Sequence, residues 1–437
     1  MNRKSLRIAF FVREFPALSE TFILNQVSGL VALGHDVTIY AERPRDEPRI
    51  HPNVSRDGLI GRTRYLRMPR GKVPRVLYAL VPLLRLLWNR PGAVPGALSI
   101  RRYGRDAWSL RLLYWSALMI EEPPFDVIHC HFGPTGQFAA KLREVGAMSG
   151  ILGTVFHGVD ISAYTRDRPD YYRYLFSRGD VFLPISDNWR RRLVKLGCDP
   201  ARIAVHHMGV APHQYRFRPR RCERDKVLRL LTVGRLVEKK GVGYALRAVA
   251  LLRNRSIPVR YDVVGDGELR DRLEDLANRL GISDCVNFRG WQDQHAVIRH
   301  MARNDVLLVP SVTTSDGDQE GIPVTLMEAM ASGMLVVATD HSGIPELVTL
   351  GRSGVLVPER DAKGLADALA DLVARPDIWP AMSRAARTRV SDEFEIGVLN
   401  RALIRIYEML LGGSGMHDAV VSGNRRDRKD VPIACHV

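Results

Sequence analysis

Two glutamates, Glu320 and Glu328, stand eight residues apart in the stretch Asp316–Glu328, DGDQEGIPVTLME. Glu320 falls in a polar loop. Pro323 is placed to open a helix, because its fixed φ suits a first helical position and its missing N–H is no loss there. The helix predicted over Val324–Ser332 is apolar at Val324, Leu326, Met327, Ala329, Met330 and Ala331, which implies burial on most faces. Glu328 is then a lone carboxylate in a core helix, costly unless paired. It lies about 7–8 Å along the axis from Pro323 and leans back toward the helix start. That start offers unpaired N–H groups and a positive dipole end, a seat for phosphate. A diphosphate at the tip and a ribose hydroxyl on Glu328 would use the whole arrangement. The plainer reading is a solvated Glu320 and a Glu328 paired with an arginine; the apolar strand before them, Pro323 and the buried helix favour a nucleotide site.

Other candidate groups fall where strands are predicted to end. Arg235 and Lys240, in GRLVEKKG, follow the strand Leu228–Val233, where two fixed cations would neutralise a diphosphate and stabilise its departure. Gly265-Asp266-Gly267 follows the strand Arg260–Val264. Arg270 occupies the position where a dinucleotide fingerprint needs glycine, so Gly265 reads as a backbone wall beside a ribose or base, not a nicotinamide site. His157 ends the strand Gly150–Phe156 and faces a cleft, where an imidazole can bond a sugar hydroxyl or phosphate oxygen; a capping or core histidine is the plainer alternative. His129 and His131 flank Cys130 and point the same way by strand alternation, but lack further ligands, so no metal site is assigned. Asp316-Gly317-Asp318 could hold a divalent ion on a diphosphate, yet the nearby cations favour a simple turn. Ser19 reads as an N-cap aimed at the cleft from the other side.

These groups need a scaffold of strands and helices. In the first half, predicted strands Arg7–Val12, Asp36–Glu42, Asp126–Cys130, Gly150–Phe156 and Val181–Ile185 alternate with helices over 20–33, 136–145 and 189–196. In the second, strands Leu228–Val233, Arg260–Val264, Val286–Arg289, Val306–Pro310, Leu335–Ala338 and Val355–Val357 alternate with helices again. Such alternation implies α/β architecture: two Rossmann-like, doubly wound parallel-sheet domains whose ligand sits at the carboxyl strand ends. The expected division is an N-terminal domain over 1–208, a linker over 209–225, a second Rossmann-like domain over 226–392, and a helix over 393–411 that crosses back to the first domain. Residues 412–437 read as a disordered tail.

The chain has 437 residues and a formal charge of +16. Twelve arginines and lysines against one carboxylate, Asp106, lie between Gly61 and Ile120. This basic insertion, 61–120, includes the leucine-rich run Val76–Trp88, too short and interrupted to span a bilayer. With Tyr78, Trp88, Trp108, Tyr114 and Trp115 nearby, it reads as a surface for an anionic membrane, with a pair of solvated amphipathic helices as the alternative. Five scattered cysteines form no CxxC pair, which points to a reducing cytosol. The amino terminus runs straight into a strand, unlike a signal peptide.

GRLVEKKG, VVGDGELRDRLE, the long segment from VPSVTT to PELV and GVLVPERDAKGLADAL resemble the C-terminal domain of family-four GT-B glycosyltransferases. REFPALSETFILNQ, HCHFGPTG, FHGVDIS and LPISDNWRRRLVKLG more narrowly resemble the exopolysaccharide enzymes of the colanic acid and amylovoran type, thought to be galactosyltransferases. The resemblance covers about residues 7 to 410. It implies retaining transfer from a nucleotide-diphosphate sugar, UDP-galactose, without a cofactor or essential metal. Glu328 would hold the ribose hydroxyls, and Arg235 and Lys240 the diphosphate. Glu320 would sit by the donor sugar, with the backbone around Gly321, Ile322 and Val324 on its hydroxyls, and His157 near the reacting carbon. The implied acceptor is a polyprenyl-diphosphate-linked saccharide at the inner face of the plasma membrane. Two departures stand out: Pro16-Ala17-Leu18-Ser19 replaces a frequent Gly-Gly loop, and Pro323 replaces a frequent glycine and removes one N–H. Rival readings are a GT-B epimerase or phosphorylase, and a basic nucleic-acid-binding protein, for which no stacking module is present.

Overall fold

The structure, a computed structural model, describes residues 5–17, 21–45, 52–221 and 227–413. Ser19 and most of the tail over 412–437 lie outside the described residues.

Two six-stranded sheets form the frame. The first contains β1 (Arg7–Glu14), β2 (Asp36–Arg43), β3 (Thr63–Tyr65), β4 (Val127–His131), β5 (Ile151–Phe156) and β6 (Val181–Pro184), in the order β3-β2-β1-β4-β5-β6. The second contains β7 (Leu228–Val233), β8 (Val259–Val264), β9 (Val286–Phe288), β10 (Val306–Val309), β11 (Leu335–Thr339) and β12 (Val355–Val357), in the order β12-β11-β10-β7-β8-β9. Every pairing within both sheets is parallel. The central strands of each sheet are largely buried, as strands covered on both faces by helices must be; β10 is wholly apolar, whereas β4 buries His129 and His131 among its apolar residues. The order reverses between β1 and β4, and again between β7 and β10. Those switch points open crevices at the carboxyl ends of the strands.

The helix Ile396–Leu411 returns to the first domain. It packs on β5 and on the helix Thr21–Ala32, and its Leu403, Ile404 and Tyr407 belong to the first domain's core. Gly153 in β5 makes room for it: a Cβ there would stand 2.4 Å from the Tyr407 hydroxyl.

Three sequence expectations need correction. The first sheet gains an edge strand, β3, from inside the basic insertion; three residues are too few for periodicity to reveal. Tyr114 and Trp115 are not on a membrane-facing surface. Both are buried, and Trp115 packs against Phe11, Tyr40 and Phe138, because the helix Arg111–Met119 turns its aromatic face onto the sheet. Pro323 is the residue before the helix, with ψ 125°, and Val324 is the first helical residue.

Candidate active site

The loop after β10 carries Glu320 into the interior, and it is not a solvated residue: both it and Glu328 are buried. Lys240, from the loop after β7, places Nζ 3.0 Å from Glu320 Oε2, and Lys239 lies 4.0 Å from Oε1. Burial pushes the Glu320 pKa up; Lys240 and then Lys239 outweigh that and hold the carboxyl below its ordinary range. Glu320 Oε1 nevertheless has no hydrogen-bond donor among the described residues, an unmet acceptor in a buried place. The backbone here is braced from behind. Glu320 N donates to His341 Nε2 (3.1 Å), and His341 Nδ1 meets Glu359 at 2.5 Å. Glu359 also accepts from Thr313 N and Thr313 Oγ1.

Glu328 sits one turn into the helix Val324–Ser332. Its Oε1 accepts from the Tyr215 hydroxyl (2.8 Å) and from Gln294 Nε2 (3.0 Å). No cation pairs with it among the described residues, so burial holds its pKa above the ordinary value despite those two donors. The N–H groups of Gly321, Ile322, Val324 and Thr325 take no acceptor from the described residues. Those of Val324 and Thr325 are the open donors expected at a helix start, and those of Gly321 and Ile322 lie in the loop just before it.

Arg235 is exposed after β7 and makes no ion pair among the described residues. Gly265, at the end of β8, has φ +136°, and a Cβ there would stand 1.9 Å from Gly234 O. Its N–H is already given to Gly290 O (2.8 Å), so this glycine lets the ends of β7 and β8 meet. Asp316-Gly317-Asp318 forms a turn: Gly317 N donates to Thr314 O, Asp318 N to Asp316 Oδ1, and Lys239 Nζ lies 2.9 Å from Asp318 Oδ2.

The first domain supplies the opposite wall. His157 leaves β5 half-buried, between the rings of Phe22 and Phe132. The loop behind it is tied by Asp160, whose carboxylate accepts from the N–H groups of His157, Gly158 and Gly133 at 2.9–3.0 Å. Burial raises the Asp160 pKa to about 6 against those three donors. His157 Nε2 meets His131 Nδ1 at 2.8 Å, and burial lowers its pKa to about 3, so the imidazole is neutral. Among the described residues no group of three or more histidines, cysteines, aspartates or glutamates has the arrangement of a metal site.

The two walls touch. A Cβ on Gly321 would stand 2.5 Å from Ile185 Cδ1 and 3.1 Å from His157 O, so the two domains approach closely at this glycine. Glu346 reaches across to the helix Asp187–Lys195 and accepts from Asp187 N (2.8 Å) and Asn188 N (3.1 Å), while Asn188 Nδ2 meets Ser342 Oγ (3.2 Å). Arg166 Nη1 donates to Asp316 O at 3.0 Å. The structure thus brings Glu320, Lys240, Gly321 and His157 to one place, with Ile322, Val324 and Glu328 on the same short segment; Gly265 lies at the end of the neighbouring β8. Sequence reasoning missed Tyr215, Gln294, His341, Glu359, Asp160 and Glu346. The HGVD and GIPE runs that hold Asp160 and Glu346 were the only local signal.

The profile of glycosyltransferase family 4 matches residues 19–214, and that of glycosyl transferases group 1 matches residues 215–389. WcaL of Escherichia coli (strain K12), assigned by its name to colanic acid biosynthesis as a glycosyltransferase, is 40% identical over 415 residues, covering 93% of this chain and 100% of its own. AmsK of Erwinia amylovora, an amylovoran biosynthesis glycosyltransferase, is 38% identical over 414 residues with the same coverage. Among solved structures, Anabaena HepE in complex with UDP superposes with a TM-score of 0.66 at 15% identity, covering 93% of this chain and 100% of that one. The galactosyltransferase WaaB gives 0.62 at 16% identity, covering 96% and 100%. Two facing doubly wound domains of this kind are the GT-B fold, and the chain belongs to the family 4 glycosyltransferases, alongside the colanic acid and amylovoran enzymes.

Proposed function

We propose that the protein transfers a hexose, galactose from UDP-galactose, with retention onto a polyprenyl-diphosphate-linked saccharide during exopolysaccharide assembly, and that it needs no metal. One observation carries this reading. At the second domain's switch point, a buried carboxylate with an unmet oxygen (Glu320), open helix-start N–H groups and a second buried carboxylate (Glu328) stand together, opposite a neutral His157.

Each group has a task in that reading. Glu328 accepts from the ribose hydroxyls. The N–H groups at the helix start, with Lys240 and Arg235, take the diphosphate and stabilise it as it leaves. Glu320 Oε1 accepts from a sugar hydroxyl. In the transfer, the bond from the anomeric carbon to the diphosphate oxygen breaks and the acceptor oxygen bonds the same face. The acceptor proton passes to the departing phosphate, so no side-chain nucleophile is required.

The acceptor and place of work rest on the basic insertion. Its helices Lys72–Tyr78 and Leu80–Asn89 expose Val73 (70%), Leu77 (72%) and Trp88 (89%); Arg85 on the second helix, and Arg101 and Arg105 further along the insertion, are exposed and make no ion pair among the described residues. Exposed apolar side chains in a segment that also carries unpaired cations suit the anionic inner face of the plasma membrane, where a polyprenyl acceptor is found. No helix among the described residues is long and apolar enough to cross a membrane.

The test is transfer of labelled galactose from UDP-galactose to a lipid-linked acceptor in the presence of a chelator. A lipid-bound sugar with retained anomeric configuration supports the reading. Loss of transfer on chelation, or formation only of an epimerised sugar nucleotide or a free sugar phosphate, would overturn it.

A further inference from the structure

His157 is the near end of a buried hydrogen-bond chain that starts on the crossover helix. Tyr407 Oη lies 2.6 Å from His129 Nδ1. His129 Nε2 and His131 Nε2 lie 3.2 Å and 2.7 Å from one atom, Gln26 Oε1. Gln26 Nε2 lies 3.3 Å from His206 Nε2, and His131 Nδ1 lies 2.8 Å from His157 Nε2. Tyr407, His129, Gln26, His131 and His206 are all buried.

The direction of every proton in this chain is set from one end. The buried Tyr407 hydroxyl has no other partner among the described residues, so it must donate, and His129 Nδ1 accepts. His129 therefore carries its proton on Nε2 and gives it to Gln26 Oε1. The same oxygen sits 2.7 Å from His131 Nε2, nearer than the 3.2 Å between His131 Nε2 and His129 Nε2, and a bare nitrogen so close to a carbonyl oxygen would repel it; His131 Nε2 therefore bears a proton too, and the Gln26 amide donates to His206 Nε2. His131 Nδ1 is left bare and accepts from His157 Nε2–H. A neutral His157 with its proton on Nε2 has a bare Nδ1, and that atom has no hydrogen bond to any described residue.

We propose that Tyr407, His129, Gln26 and His131 are positioning residues that fix the tautomer of His157. The cleft then meets a neutral imidazole whose Nδ1 accepts a hydroxyl proton and cannot donate one. The catalytic consequence rests on the transferase reading above: the site would favour a sugar hydroxyl, a donor, over a carbonyl or phosphate oxygen at this point. The chain also ties the crossover helix to the cleft, so the first domain's site is complete only when that helix is docked.

Imidazole nitrogen shifts of the histidine-labelled wild-type protein test the tautomers without any donor. The expected result is His129, His131 and His157 with the proton on Nε2, and His206 with it on Nδ1, at neutral pH. A His157 with its proton on Nδ1, or a charged His157, would overturn the proposal. Gln26→Glu gives a second reading through kcat/KM for UDP-galactose against pH. The titratable groups around His131 and His157 are His129 and His206, with Tyr407 beyond His129 and Asp160 on the His157 backbone; Asp160, raised to about 6, is the one anion among them at neutral pH, and its titration is common to wild type and variant, so the difference between the two profiles is the reading. A carboxylate at position 26 raises the His131 pKa, so below it His131 is charged, donates from Nδ1 and forces His157 to carry its proton on Nδ1. The variant should lose about tenfold in kcat/KM as pH falls from 8 to 6, a loss of one hydrogen bond that the wild type does not show. A folded Gln26→Glu protein with the wild-type profile contradicts the relay. Correct tautomers with no use of UDP-galactose would instead leave the relay standing and refute the donor.

Discussion

Mild acid should destabilise the first domain, and its buried histidines set the size of the effect. Burial lowers His129 and His157 to about 3 and His206 to about 4, and lowers His131 as well. In the unfolded chain each histidine titrates near 6.5. Between that pH and the folded values the unfolded state holds more protons than the native state, so stability rises with pH and is lost as pH falls. At pH 5 the loss is about 2 kcal/mol for each of the three histidines with a stated value, or about 6 kcal/mol together. Asp160 works the other way. Raised to about 6 in the native state, it binds its proton there before the unfolded chain does, which returns about 1 kcal/mol by pH 5. The net loss, about 5 kcal/mol, equals a large share of the stability of an ordinary domain. Urea unfolding followed by circular dichroism at pH 7, 6 and 5 measures it. The urea midpoint should fall steeply with each step, and His206→Gln should shrink the fall. A midpoint that is flat or rises between pH 7 and pH 5 would refute the reasoning.

The geometry makes four further outcomes measurable. If Glu328 holds the ribose as proposed, Glu328→Ala removes charge-assisted bonds to two hydroxyls, about 1.5–3 kcal/mol each, so UDP affinity by calorimetry should fall at least 100-fold while the fold persists. Gly265→Ala puts a Cβ 1.9 Å from Gly234 O at φ +136°, and should cost about 3 kcal/mol or more in urea unfolding. Glu346→Ala removes the carboxylate that caps the helix Asp187–Lys195 across the cleft; loosening worth about 1–2 kcal/mol should enlarge the ligand-free particle in solution scattering. Leu84→Ser combined with Trp88→Ser should weaken binding to phosphatidylglycerol vesicles about tenfold or more without changing the melting temperature, whereas phosphatidylcholine vesicles should bind neither protein.

Much of the fold and part of the site were legible because they are local. The helix Val324–Ser332 has the bounds its apolar run predicts, and the strand–helix alternation gave both sheets. The shared face of His129 and His131 comes from strand periodicity alone. What closes the site was not legible, because it arrives from elsewhere in the chain. Tyr215 and Gln294 reach Glu328 from 113 and 34 residues away, and Tyr407 reaches His129 from 278 residues away. No spacing rule links such positions; only the folded sheets do. The basic insertion misled for a different reason. Its aromatic residues look alike in sequence, yet Trp88 faces outward and Trp115 lies in the core, a division set by packing against β1 and β2.

The central claim is that the nucleotide sits at the head of the helix Val324–Ser332, and a crystal structure of the protein with UDP tests it most directly. The account predicts ribose hydroxyls within hydrogen-bonding distance of Glu328, with the diphosphate against the N–H groups around Ile322 and Val324 and beside Lys240. UDP bound anywhere else, or bound there with Glu328 still closed onto Tyr215 and Gln294 alone, would contradict it.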